Sequence, residues 1–407
     1  MGFRWLWPWI AGSLCAVSVA GAETATRVLT LDEALALARD QGRAVLLAKG
    51  GIEEARARQV QAGRRFQENP VLEAEGGYRR VGSDFFDFET AVTQGLDAGG
   101  RRAARMAGAR AAVERAEAEL AEARRLLLRE VRTAFARALA ARERLALRTA
   151  NRKAADALLA AVERRYEAGE STALELNRAR IATAAARAEQ SADEAAEGAA
   201  RTGLRGLLGL REPVEIRGDL APPPPPALER LLAGLAGRRP DLQALAAEAR
   251  EAEAQVRLGE ALARPGVGLR AGVAREERAD IVRAGVVLTL PVHENGQETR
   301  AVGRARAAAL RQALAAAETE AEMEVRGRHE ILTGQWAAAR ELERTALPAL
   351  EDNETLAGKG FEAGEIGLGE LLLVRREILE TRLAYLDRLL ETALARFELE
   401  TAAGALP

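Results

Sequence analysis

The chain has 407 residues, a formal net charge of −2 and 29% charged residues. It is long enough for two or three ordinary domains and has no bulk basic bias that would favour nucleic acid. One cysteine and two histidines leave almost nothing from which to build disulfides or a metal cluster. Residues 1–22 read as a secretory signal: Arg4 supplies the charge, Trp5 to Val19 is apolar, and Ala20-Gly21-Ala22 has the small-x-small cleavage pattern. The mature chain is expected to start at Glu23. Cys15 falls inside the removed segment, and the large Leu14 before it argues against a lipid-modified cysteine. No later stretch offers about 18 consecutive apolar residues, so any bilayer contact has to be made by strands.

Repeat 1 is expected over 23–212. A helix runs from Leu31 to about Phe66, opened by an N-cap at Thr30 or Asp32. The hydrophobic period then changes to two, giving a hairpin over about 71–95. Leu72, Ala74, Gly76 and Tyr78 lie opposite Glu73, Glu75 and Arg79; after a loop at Gly82-Ser83-Asp84, Phe86, Phe88 and Val92 lie opposite Asp87, Glu89 and Thr93. Asp97 is the candidate N-cap of a long helix over about 99–166, rich in Ala, Leu, Arg and Glu, the strongest helix formers. A straight helix of that length reaches roughly 100 Å. Met106, Val113, Leu120, Leu127, Ala134 and Ala141 recur every seven residues, with a companion stripe of Ala109, Ala116 and Ala123 that shifts to Val131, Ala138 and Leu145 beside them. The helix breaks at Tyr166-Glu167-Ala168-Gly169-Glu170, and a return helix follows over about 173–208.

A Pro-rich linker, 213–227, leads to repeat 2 over 228–407. Its first helix runs to about Ala263, with an interruption at Arg238-Arg239-Pro240. A hairpin over about 266–291 places Val267, Leu269, Ala271, Val273, Val282, Ala284, Val286 and Leu288 opposite Arg270, Arg283 and Thr289. Asn295 is the candidate N-cap of a second long helix over about 296–361, bent at Pro348. Phe361-Glu362-Ala363-Gly364-Glu365 repeats the turn, and a return helix runs over about 368–402. Pro70 and Pro265, Gly77 and Gly272, Tyr166 and Phe361, and Gly169 and Gly364 each stand 195 residues apart, and Gly100 and Gly296 stand 196 apart. One unit is used twice.

The fold class expected is therefore mainly α with a membrane β-barrel portion, built from tandem helix–hairpin–long helix–helix units. Apolar-out, polar-in alternation suits the wall of a water-filled barrel. Four strands cannot close one, and an open edge in lipid leaves backbone groups unpaired at several kcal/mol each. Several copies must then share a wall. Three copies would supply twelve strands and are the fewest that leave a wide lumen. Gly169 and Gly364 are expected at positive φ, with Tyr166 and Phe361 packed inside the reversals.

The order of elements over the whole mature chain resembles the TolC-like outer-membrane factors of tripartite efflux systems. The more specific similarities are Tyr166-x-x-Gly169 followed by Glu175-Leu176, and Phe361-x-x-Gly364 followed by Glu370-Leu371. Asn69-Pro70-Val71-Leu72 and Gln94-x-Leu96-Asp97-x-Gly99-Gly100-Arg101 look most like the CzcC-like heavy-metal branch. The resemblance implies a homotrimer in outer-membrane lipid, with a twelve-strand β-barrel continuous with a twelve-helix periplasmic α-barrel. It implies a periplasmic tip at Tyr166, Gly169, Glu170, Phe361, Gly364 and Glu365 that docks a periplasmic adaptor. It also implies an inner-membrane pump of the proton-driven resistance-nodulation-division type, and Glu175 and Glu370 lining the tip aperture. Where some members carry a latch arginine after the second turn, this chain has Ile366.

Catalysis has little to stand on, and no cofactor or resident metal is expected. His293 lies in a Pro-Val-His-Glu-Asn turn and His329 beside Glu330, neither with a second ligand at metal spacing. No phosphate-cradling glycine loop occurs. Two rivals remain at this level. A periplasmic adaptor would show one helical hairpin flanked by small β-domains, against the duplication seen. A secreted coiled-coil scaffold would have no use for paired alternating strands.

Overall fold

The computed structural model describes residues 27–81, 83–221, 223–276 and 279–404. The signal segment 1–22 and Cys15 lie outside the described residues. The chain opens with a short strand β1 (Arg27–Leu29), then α1 (Leu31–Ala38) and α2 (Arg43–Ala62). Thr30 is the N-cap of α1. Its hydroxyl accepts from the Glu33 N–H at 3.4 Å, and the Glu33 carboxylate accepts from the Thr30 N–H at 2.9 Å, a reciprocal capping box. One helix from Leu31 to Phe66 is not formed: the chain turns between Ala38 and Arg43. The turn lies so close to the rest of the fold that a Cβ on Gly42 would stand 2.4 Å from Leu127 Cδ2.

Strands β2 (Val71–Val81) and β3 (Ser83–Leu96) follow, so Ser83 and Asp84, expected in a loop, belong to the sheet. Next come α3 (Arg101–Glu167), α4 (Ala173–Leu207) and a second short strand, β4 (Val214–Ile216). The second half holds α5 (Leu228–Leu232), α6 (Leu235–Arg238), α7 (Pro240–Leu262), β5 (Gly266–Glu276), β6 (Ala279–Thr289) and α8 (Gln297–Glu341). α9 (Leu347–Glu362) and α10 (Leu368–Ala402) complete the chain. Pro348 has no N–H to return to the preceding turn, and the helix widens into a π-helical segment, Leu342–Ala346, just ahead of it.

The spine is α3. It packs along α4, α7, α2 and α10, so its burial is not confined to the two stripes expected. Between 125 and 140 it is enclosed on most sides: Leu127, Leu128, Val131, Phe135, Ala136, Leu139 and Ala140 are all buried. The largest core forms there, adding Leu29, Val45, Leu204, Val214 and Ile216. β1 and β4 pair in parallel beside it; at three residues each they are too short to show a period in sequence.

The same region anchors the end of α10. Arg125 donates to the Thr401 carbonyl, and Arg239 to the Ala402 carbonyl at 3.3 Å. These cations sit at the negative end of the helix dipole. Arg239 is neutralised by Asp241 at 2.6 Å and Glu324 at 2.8 Å, and Arg132 by Glu400 at 2.8 Å. The Pro-rich linker is docked on the same bundle: His329 Nε2 lies 2.9 Å from the Pro226 carbonyl, and Arg396 donates to the Pro223 carbonyl at 3.2 Å.

Candidate channel wall and helical tip

The second sheet has the order β2-β3-β5-β6 and is antiparallel throughout. Directly opposed residues share a face, so the register defines both faces. Leu72 opposes Val92, which opposes Ala271, which opposes Ala284; Tyr78 opposes Phe86; Leu269 opposes Val286; Val267 opposes Leu288. The apolar positions of all four strands thus form one surface, and its side chains are exposed, Val282 to 83%. At its far end both hairpins carry an Arg–Asp pair in register, Arg80 with Asp84 at 3.0 Å and Arg275 with Asp280 at 2.9 Å. The 195-residue offset already placed Arg80 on Arg275, a signal that the sequence reading left unused.

The opposite face is ionic. Arg270 pairs with Glu73 and, at 3.4 Å, with Glu89; Arg283 reaches Glu89 at 2.6 Å and Glu276 at 2.5 Å; Arg79 reaches Asp87 at 2.8 Å. Glu75 stands opposite Glu89. Carboxylates at 73, 75, 87, 89 and 276 outnumber the guanidinium groups at 79, 270 and 283 on this face. The pairs of Glu73 and Glu89 with Arg270 and of Glu89 with Arg283 join the two hairpins across more than 180 residues, so only the register reveals them.

At the base of the sheet the strands turn into helices. Asp97 and Asn295 are not the N-caps. Gly100 and Gly296 hold those positions at φ of 86° and 74°, without a side-chain cap. Asp97 instead pairs with Arg105, and Asn295 Oδ1 accepts from Arg300 at 3.1 Å. Two arginines clasp the repeats together: Arg101 donates to the Arg264 carbonyl at 2.8 Å and Arg264 to the Gly99 carbonyl at 3.0 Å.

The two turns lie together at the far end of α3. Gly169 and Gly364 have φ of 78° and 76°. The Glu170 N–H donates to the Arg165 carbonyl at 2.8 Å and the Glu365 N–H to the Gly360 carbonyl at 2.8 Å, closing the glycine-terminated helix ends. Leu158, Val162, Leu176, Leu368 and Leu371 form a shared core against which Phe361 packs, and Arg165 of the first turn lies 5.8 Å from the centre of the Phe361 ring. Tyr166 does not pack inside its reversal; it is 43% exposed.

Glu175 and Glu370 are not equivalent. Glu175 closes a capping box on α4, accepting from the Thr172 N–H at 2.9 Å and the Ser171 hydroxyl at 2.7 Å. The Thr172 backbone bond, then the Ser171 hydroxyl, hold its carboxyl below the usual glutamate range. Glu370 is exposed on the first turn of α10, whose N-cap is Gly367.

A long helical bundle carries an amphipathic sheet with both edges open, a fold shared with solved outer-membrane channels. Residues 34–210 match the outer membrane efflux protein family. No curated protein matches the chain. Among solved structures it is similar to a membrane protein of Pseudomonas aeruginosa (22% identity, 92% of this chain and 93% of that chain, TM-score 0.74). It is also similar to the CmeC outer membrane channel of Campylobacter jejuni (13%, 92% and 85%, 0.74) and to CusC, described in terms of transmembrane channel formation (18%, 94% and 94%, 0.75). At these identities the likeness carries the fold. No described helix is long and apolar enough to cross a membrane.

Proposed function

We propose that three copies close a twelve-strand barrel in the outer membrane, continuous with a helical tunnel in the periplasm, as the passive exit duct of a tripartite efflux system. The observation that carries this reading is the sheet: a mainly apolar face over four strands, interrupted in its middle by Thr90 and Gln94, an ion-paired face behind it, and unpaired edges on β2 and β6. Strands of 11 to 14 residues suit a tilted bilayer crossing. Purified protein in mild detergent should be trimeric and should give stepwise conductance in planar bilayers. A monomer that gives no conductance defeats the reading.

The turn end is the proposed docking surface for a periplasmic adaptor, with Tyr166, Gly169, Glu170, Phe361, Gly364 and Glu365 at the contact. The adaptor would link the duct to a proton-driven inner-membrane pump of the resistance-nodulation-division type. Glu175 and Glu370 are the carboxylates proposed at the aperture, Glu175 held in its capping box and Glu370 exposed on its helix turn. Gly364→Pro should abolish export while barrel assembly survives. Proline is locked near φ −65°, whereas this position is at 76°, and the Gly364 N–H bond to the Phe361 carbonyl at 3.1 Å is lost with it. Normal export by the variant would remove the docking assignment. The finer proposal is a heavy-metal cation cargo, supported by the carboxylate excess on the sheet's ionic face. A deletion strain sensitive to zinc, cobalt or cadmium fits it; one sensitive only to organic compounds does not.

A further inference from the structure

A cavity of about 640 Å³ opens beside Pro348, among α3, α9, α10 and the loop after β4. Its size is that of a small-molecule pocket. Leu139, Leu147, Leu386 and Leu389 supply apolar lining, Tyr385 adds an aromatic ring, and Asp219, Glu351 and Arg382 bring charge. The π-helical segment Leu342–Ala346 lies immediately ahead, where α9 begins. Such widened turns recur at functional sites.

The internal repeat shows what is unusual about this place. At the offset of 195, Asp156, Arg152, Arg187, Leu159 and Gln190 of the first repeat correspond to Glu351, Leu347, Arg382, Glu354 and Tyr385 of the second. The return helices keep that offset throughout: α4 and α10 both have 35 residues, starting at Ala173 and Leu368. In the first repeat the carboxylate is neutralised twice, since Asp156 takes Arg152 at 2.8 Å and Arg187 at 2.9 Å. In the second repeat both cations are withdrawn. Leu347 replaces Arg152, and Glu354, where the first repeat has Leu159, takes Arg382 at 2.8 Å. Among the described residues the Glu351 carboxylate is left with neither an ion pair nor a hydrogen bond. Asp219 accepts from the Ala221 N–H at 2.9 Å and has no ion pair among the described residues either. Glu143, also in the lining, is held by Arg142 at 3.0 Å. The aromatic ring is a second change made only in this repeat.

We propose that this cavity binds a monovalent organic cation with an apolar body, its charge against Glu351 and Asp219 and its hydrophobic part against the leucines and the Tyr385 ring. Cations are attracted to the face of a tyrosine ring, and apolar groups leave water on entering the leucine lining. A bare divalent metal suits the place poorly. It needs several converging ligands, and among the described residues no three His, Cys, Asp or Glu side chains are grouped to hold one. All of the lining comes from one copy, so the inference depends on neither the ring nor the cargo proposed above.

The test titrates the full-length protein in non-ionic detergent with tetraphenylphosphonium, followed by calorimetry with the detergent matched. One saturable site per chain is expected. Triphenylphosphine oxide, which is neutral and similarly shaped, should bind about tenfold more weakly, and so should tetraphenylphosphonium to Glu351→Gln. Leu347→Arg puts the first repeat's cation back beside Glu351 and should abolish saturable binding. Glu354→Leu restores the first repeat's leucine and frees Arg382 for Glu351, so it should weaken binding with Glu351 still in place. Both substitutions copy residues that the first repeat already accommodates. No saturable binding to the parent protein, equal binding of the neutral compound, or unchanged binding by Leu347→Arg overturns the site. Displacement of tetraphenylphosphonium by equimolar zinc overturns its assignment to an organic cation.

Discussion

Val286→Arg is expected to stop membrane assembly, and Val287→Arg, the next residue, to assemble nearly as well as the parent protein. Val286 opposes Leu269 on the apolar face and Val287 opposes Gly268 on the face that carries Glu73, Glu89 and Arg283. An arginine on the lipid side near the bilayer midplane costs about 2–4 kcal/mol, so three copies would lose roughly 6–12 kcal/mol per ring. That is comparable to the whole stability of an ordinary domain. On the lumen side the same guanidinium keeps its water. The comparison is read from the share of each variant in washed outer membranes and the share running as trimer in detergent. Equal assembly of the two would mean that the faces are assigned the wrong way round or that the sheet does not meet lipid.

The contrast between adjacent residues shows which parts of the fold a one-dimensional reading can reach. Alternation in Val282, Ala284, Val286 and Leu288 is local, and the offset that pairs Gly169 with Gly364 needs only one stretch of sequence laid on another; both were legible. The Thr30–Glu33 box was legible too, because its partners are three residues apart. The same signature at Thr172-x-x-Glu175 was equally plain. There it competed with a reading of Glu175 as an aperture carboxylate, and the nearby Thr172 and Ser171 donors claim the side chain first. Other features depend on what arrives from far along the chain. The turn at Gly42 lies against Leu127, and between the two tip turns Arg165 meets Phe361. Nothing within ten residues announces either. Asp97 and Asn295 look like N-caps in isolation, but each chain segment enters its long helix through a left-handed glycine, which leaves the acidic and amide side chains to bind arginines instead.

Those two glycines also separate repeat symmetry from physical equivalence. Gly100 and Gly296 occupy corresponding places, with φ of 86° and 74°, and a sequence comparison treats them alike. A Cβ on Gly100 would find only the Arg264 Nη1 atom, at 3.6 Å. A Cβ on Gly296 would stand 2.3 Å from the Gly259 carbonyl oxygen and 2.9 Å from Leu262 Cβ. The obstacle at Gly296 is backbone in the last turn of α7, and the approach is close from both sides: a Cβ on Gly259 would lie 2.7 Å from the Arg300 nitrogen. Alanine at Gly100 should cost about 1–2 kcal/mol for the left-handed backbone alone. Alanine at Gly296 adds an overpacking cost of about 1–3 kcal/mol, roughly 2–5 kcal/mol in all. Because this junction carries the strands onto the helices in every copy, the expected result is normal yield and a small drop in the unfolding midpoint for Gly100→Ala, and failure to accumulate folded protein for Gly296→Ala. Matching losses at the two positions would show that conformation dominates both and that the close approach of α7 to the start of α8 contributes little.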